Sequence, residues 1–439
     1  MQASELYKRI CTETETIPLI DTHEHIISEE VRLGQSLDLF DWLLPYVSDD
    51  LMSAGLGVEG LATVRDPARP LDERWAAVAQ VWTDVRTTGY GRAVLLAARD
   101  LFGISDINET TYRELSERIA SSNHSGWYQY VLKERANIEL AILQSLEEFD
   151  TTPLNKIDRW FFAPVVCMND FVVPCSRVDL QGLERKTDVS IHSLDHLLDA
   201  MDASFERAVA AGVAGVKITV ALRRSLHFEK VARADAERLL NRLFLYPVDL
   251  IAGIQQPPVS WNEVKPLQDY LMHQVIQRAI ECRLPIQIHT GFQVGNGNFL
   301  DNANPIHLTN LLIEYSEARF DLFHAGYPYQ GIMAVLGKNF PNVYVDLCWV
   351  HIISPWVARH TLHEWIETVP ANKIFAFGGD YTFVEGAYAH ARMARANVAL
   401  VLTEKIEMGY MTEEEGVELA RKLLRDNAAR FFHLPVQDT

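Results

Sequence analysis

Short apolar runs alternate along the chain with longer segments in which apolar residues fall three and four apart. The first kind reads as buried strand and the second as amphipathic helix. The strand candidates are "IPLIDTHEHI" (17–26), "IELAILQS" (138–145), "WFFAPVVCM" (160–168), "VAGVKITVA" (213–221) and "LPIQIHTGF" (284–292), followed by "RFDLFHAG" (319–326), "NVYVDLCWV" (342–350) and "KIFAFGGD" (373–380). Between them lie helical stretches such as "LDHLLDAMDASFERAVAAG", with Gly212 as a stop, and "VKPLQDYLMHQVIQRAIECR". Strand and helix in this rhythm predict an α/β protein with right-handed crossovers, and eight runs are the number that a closed (β/α)8 TIM barrel needs.

Such a barrel takes about 250 residues, so roughly 190 of the 439 residues are left for insertions. The largest falls between the first two strands. Residues 27–137 contain helical patterns such as "ERWAAVAQVWTDV" and "TYRELSERIASS" and are expected to form a mostly helical cap over the barrel mouth. A separate N-terminal domain is disfavoured, because the first strand precedes this segment and the barrel could not close without it; 1–439 is read as one barrel domain. The C-terminal "TEEEGVELARKLLRDNAARFF" predicts a terminal helix with Thr412 and Glu415 spaced as a capping box, packed outside the barrel.

Composition adds limits. Hydrophobic residues make up 48% of the chain, enough for a large core. A net charge of -19 without any basic block argues against nucleic-acid binding, while leaving an anionic substrate open because local arginines and a metal set the potential of a pocket. No apolar run reaches the roughly 20 residues that span a bilayer, and the start "MQASELYKRICTETET" lacks the apolar core of a signal peptide. Five cysteines without a CxxC pair fit a reducing cytoplasm. A small-molecule substrate is expected, with no membrane or nucleic-acid partner, and the size of the chain suggests a homo-oligomer.

The most informative short motif is "DTHEHI". His23 and His25, two apart on a strand, project from one face and can chelate a single ion, whereas Glu24 points the other way. Alone, the pair is equally well read as two polar residues at a strand end. However, His289, His324 and Asp380 stand at the ends of the fifth, sixth and eighth runs, and in a parallel barrel those ends share the rim that carries active sites. Nitrogen and oxygen donors of this kind suit a borderline or hard divalent ion, zinc first and manganese as an alternative, one ion or two.

Lys217 lies inside an apolar strand, where an unpaired ammonium is costly. It is a metal ligand only if carboxylated; otherwise it holds a substrate carboxylate or pairs with a neighbouring acid. Arg223 and Arg224 follow that strand and are candidates to bind a substrate carboxylate with their guanidinium forks. Asp21 could orient a ligand histidine, or could simply cap the strand end. Trp349, His351 and Tyr327 could line a pocket, and the Gly- and Asn-rich "QVGNGNFLDNANP" reads as a loop facing substrate. No GxSxG is present, and Cys167 and Cys348 fall in apolar runs, where thiols are usually inert.

Placed on strands one, four, five, six and eight, the HxH pair, the lysine, the two histidines and the late aspartate resemble the amidohydrolase superfamily. "PIQIHTGF", "NANPIHLTNLL", "FHAGYPY", "FPNVYVDLCW" and "VPANKIFAFGGD" are similar to the amidohydrolase domain fused to glutamine synthetase in nodulin-like proteins. The similarity covers 213–400 together with "IDTHEHI" and only loosely the 27–137 segment. It implies a hydrolytic metal centre in which His23, His25, His289 and Asp380 match ligand positions and Asp380 also matches the proton acceptor. His324 matches a position that either binds a second metal or assists catalysis. The expected enzyme is a hydrolase of an amide or related C–N, ester or lactone bond in a small carboxylate-bearing substrate. The superfamily also implies two alternatives, an isomerase or a decarboxylase of a sugar acid or aromatic acid; a catalytically silent regulatory barrel is the alternative of another class.

Overall fold

The computed structural model describes residues 4–146, 152–245 and 261–435. Among the described residues each of the eight apolar runs contains a strand: β1 (Leu19–Glu24), β2 (Ile138–Leu143), β3 (Phe162–Cys167), β4 (Gly215–Ile218), β5 (Ile286–Ile288), β6 (Phe320–Leu322), β7 (Val343–Asp346) and β8 (Ile374–Phe375). All neighbours pair in parallel in the order β1 to β8. β1 meets the segment after β8 through Thr22 N donating to Phe377 O (3.2 Å) and Asp380 N to His23 O (2.7 Å), so the strands form a (β/α)8 barrel.

Every strand is shorter than its apolar run, and the reason is local. Beyond β6, β7 and β8 the chain turns through left-handed backbone at His324 (φ 60°), Trp349 (φ 67°) and Asp380 (φ 60°), which ends the ladder. Within the barrel the register sets Lys217 beside Gln287 and Gln287 beside Asp321, a polar layer below the mouth. Alternation of side chains places Ile20, Leu140, Ile142, Ala163, Val165 and Phe375 in a separate apolar cluster on the other face of the strands from those that meet the outer helices.

That cluster is completed by Phe431 and Phe432, which corrects the expectation for the C-terminal helix. The capping box at Thr412 and Glu415 is present, and the helix runs Glu413–Arg421, widens into a π turn at Lys422–Asp426 and ends at Asn427–Phe431. Its start lies outside the barrel, but its last turn carries two aromatic rings into the floor of the strands. The π turn leaves Leu423 O free to accept from Ala376 N (2.9 Å), just past the two-residue β8.

Residues 27–137 fold as short helices, among them Phe40–Leu43, Val47–Ser53, Leu71–Val85, Gly89–Phe102 and Tyr112–Ser121. They touch the loops after β5, β7 and β8. Asp49 Oδ2 accepts from Gly295 N (2.7 Å), Tyr90 stacks on Trp349 (6.1 Å between rings) and Arg32 forms a buried ion pair with Glu385 (2.6 Å).

Candidate metal centre

The register between β1 and β2 is irregular between Asp21 and Glu24, the stretch that carries the HxH motif. His23, fully buried, and His25 both face Asp380. His25 Nε2 lies 3.3 Å and His23 Nε2 3.8 Å from Asp380 Oδ1, while His324 Nε2 lies 3.8 Å from Asp380 Oδ2. The aspartate thus stands between two groups of histidines.

What holds Asp380 there is β1 itself. Three successive backbone N–H groups donate to it: Gly379 N to Asp21 Oδ1 (2.9 Å), Asp380 N to His23 O (2.7 Å) and Tyr381 N to Glu24 Oε2 (2.7 Å). The turn packs so closely that a Cβ on Gly379 would fall 1.8 Å from Glu24 Oε1. Tyr46, from the inserted helices, donates its hydroxyl to Asp380 O. This arrangement keeps a non-glycine residue in the left-handed region, which otherwise costs about 1–2 kcal/mol.

Hydrogen bonds to carbonyls set the imidazole tautomers, because a carbonyl only accepts. His25 Nδ1 donates to Gln144 O (2.9 Å), leaving Nε2 a bare lone pair opposite a carboxylate oxygen. His324 Nδ1 donates to Cys348 O (2.9 Å) and His289 Nε2 to Phe292 O (2.9 Å). Their other nitrogens, His324 Nε2 and His289 Nδ1, face each other at 3.1 Å. Two bare acceptors at this distance suit a cation set to one side and against both. Burial lowers the pKa of His23 and His289 well below the ordinary value and brings His324 to about 4, which keeps these rings neutral as metal ligands must be. Burial pushes the Asp380 carboxyl up, but the adjoining His25, His324 and His23 rings outweigh it and hold it well below the carboxylate range. His23, His25 and Asp380 present ligand atoms within 4.8 Å of one another, so their chemistry and spacing fit a divalent ion.

Lys217 is 1% exposed and donates from Nζ to His23 Nε2 (3.0 Å), a bond that an ion held by that nitrogen would replace, with the ammonium 3.7 Å above the Phe323 ring. It forms no ion pair among the described residues, which goes against the reading that pairs it with an acid; burial lowers its pKa. Four further acids lie fully buried below the rim. Burial raises Asp21 to about 6 and Asp346 to about 7, and Glu24 and Asp321 well above their ordinary values.

Other sequence expectations fare differently. His289 joins His324 rather than the His23–His25 pair. Arg224 is 7% exposed and bound to Asp269 Oδ1 (2.6 Å) and His227 O (2.8 Å), so its guanidinium is not available to a substrate carboxylate; a buried arginine needs such partners. Arg223 is exposed and lines a surface cavity of about 160 Å³ with Asp170 and Asp179. Trp349 packs edge-on to His324 (5.2 Å), whereas His351 is buried between Ala376 O (2.8 Å) and Asn397 Nδ2 (3.0 Å) as a structural residue. Tyr327 meets Phe292 edge-on (6.3 Å). Cys167 ends β3 at an exposed position, against expectation for an apolar run. Sequence reasoning missed Tyr46 and the clamp made by Asp21 with Glu24. Tyr46 had no signal, but two acids flanking a histidine on a buried strand were a visible anomaly.

The family model described as Amidohydrolase matches residues 190–434, more than half of the chain. Protein fluG of Emericella nidulans is 30% identical over 231 residues, which cover 51% of this chain and 26% of that protein, so the match spans about a quarter of the relative's length. Among solved structures, glucuronate isomerase from Caulobacter crescentus superposes with a TM-score of 0.78 at 18% identity, covering 99% of this chain and 95% of the other. Uronate isomerase from Thermotoga maritima gives 0.77 at 17% over 98% of both chains. A putative metal-dependent hydrolase from Lactobacillus casei gives 0.69 at 16% over 97% of both. At these identities the structural likeness establishes the shared fold.

Proposed function

Because the chain belongs to the amidohydrolase family, we propose that it is a metal-dependent hydrolase of an amide or related C–N, ester or lactone bond in a small substrate. The observation that carries this reading is the juxtaposition of His23, His25 and Asp380 at the barrel rim, with the His25 Nε2 lone pair 3.3 Å from a carboxylate oxygen. His23, His25 and Asp380 would hold the ion, zinc being the first choice for this donor set. A divalent ion bound there acidifies water and polarises a carbonyl.

The chain's own groups supply the rest. Asp380, ionised at neutral pH, can take a proton from the attacking water at one carboxylate oxygen and return it to the leaving group. His324, with its Nδ1 fixed by Cys348 O, keeps Nε2 directed at the same aspartate and serves as the helper on the other side. Of the two arginines directly after β4, Arg223 is the one left to meet a substrate carboxylate.

A second reading, isomerisation of a uronate, draws support from the superposition on uronate isomerases over nearly the whole chain, the 27–137 segment included. Metal-loaded protein assayed against amides, lactones and uronates tests both: hydrolysis of an amide or lactone upholds the first, and conversion of a uronate without hydrolysis replaces it by the second. In either case His23→Ala and Asp380→Asn should abolish turnover in folded protein. Turnover unchanged in either variant would refute the site, and protein that takes up no zinc or manganese would favour a silent barrel.

A further inference from the structure

We propose that Cys348 is a thiolate ligand in a second cation position at the ends of β6 to β8, one that takes a thiophilic divalent ion. The inference rests on the reading of Asp380 as a metal ligand and extends it to a residue outside the histidine and aspartate set.

Three observations meet at this point. The Sγ of Cys348, a nitrogen of His324 and an oxygen of Asp380 lie within 4.8 Å of one another, and all three residues are buried. Asp380 divides its oxygens: Oδ1 faces His23 and His25, whereas Oδ2 faces His324. Finally, the His324 ring is locked by Cys348 O at Nδ1, which leaves Nε2 as a bare acceptor 3.8 Å from Asp380 Oδ2.

The backbone is shaped for the thiol. Cys348 O is the acceptor that orients His324, so one residue both aims the ring and offers a donor beside it. Gly378 makes the space, since a Cβ there would fall 2.7 Å from Cys348 Sγ. The thiol makes no hydrogen bond of its own among the described residues. His324, Cys348 and Asp380 together supply a nitrogen, a sulfur and an oxygen, a donor set for zinc, cobalt or cadmium rather than magnesium or calcium. On binding, the S–H bond breaks, the S–metal bond forms and the proton leaves to solvent.

The test is titration of metal-free protein with Co(II), followed by absorption and by metal content. Wild type should bind a second ion per chain and develop a sulfur-to-cobalt charge-transfer band in the near ultraviolet. Cys348→Ser should lose that band and weaken the second ion at least tenfold, while keeping the visible absorption of the ion at His23 and His25. Cobalt absorption without a thiolate band in wild type overturns the proposal and leaves the metal-enzyme reading standing; no cobalt binding at all overturns both. The wild-type spectrum decides even if the serine variant fails to fold.

Discussion

Glu24→Ala isolates the clamp that holds Asp380. The substitution removes the acceptor of Tyr381 N–H, a 2.7 Å bond to a fully buried carboxyl. Leaving a buried N–H without a partner costs about 1–3 kcal/mol, and the hole left by the side chain adds roughly 1–2 kcal/mol after partial collapse. Relief of the crowding between Glu24 and Asp21 returns part of this, so the expected loss of unfolding free energy is about 2–3 kcal/mol. That exceeds the cost of about 1–2 kcal/mol for left-handed Asp380, so without the clamp the turn relaxes and the ligand set opens. Metal affinity should then fall about 10–100-fold, as for other residues that orient ligands. Glu24→Gln keeps an acceptor for Tyr381 N–H and should retain most of both properties. Denaturant unfolding of the metal-free protein and competition titration with a chelator measure the two effects. A Glu24→Ala variant within about 0.5 kcal/mol of wild type with unchanged metal affinity, or a Glu24→Gln variant as impaired as Glu24→Ala, would refute the clamp.

Asp269→Ala should destabilise by about 3–5 kcal/mol, because it leaves Arg224 buried and uncompensated; equilibrium unfolding within experimental error of wild type would contradict the assignment. Arg223→Ala should raise KM for a carboxylate-bearing substrate several-fold with kcat nearly unchanged, and a fall in kcat alone would point to another role. Asp346, raised by burial to about 7 from an ordinary 3.8, stabilises the metal-free fold in its protonated form; that contribution is complete below about pH 4 and disappears as pH climbs through 7. Asp346→Asn should therefore flatten the decline in metal-free stability between pH 4 and 7, and an unchanged pH profile would show that the carboxyl ionises without penalty.

Much was legible along the chain because barrel strands obey a short-range rule. A parallel strand covered on both faces needs a continuous apolar run, so eight such runs separated by helical patterns announce the barrel, and the polar residue that ends each run falls on one rim. His23, His25, His324 and Asp380 were found in this way, and they do converge. Distances between strand ends, however, depend on tilt and on the backbone beyond the ladder. Hence the sequence groups His289 with His23 and His25, whereas the structure sets it against His324, and it offers Arg224 to a substrate although a helix 45 positions later supplies Asp269 to neutralise it.

By itself the sequence determined the number, order and polarity of the strands and the residue types at their ends, since those depend only on periodicity and burial. The tertiary structure alone decided which nitrogen of each imidazole is bare, that Asp21 and Glu24 grip the turn at Asp380, that Cys348 stands beside His324, and that Phe431 and Phe432 close the floor. These follow from contacts between residues hundreds of positions apart, whose geometry is set by closure of the barrel and has no signature in local pattern.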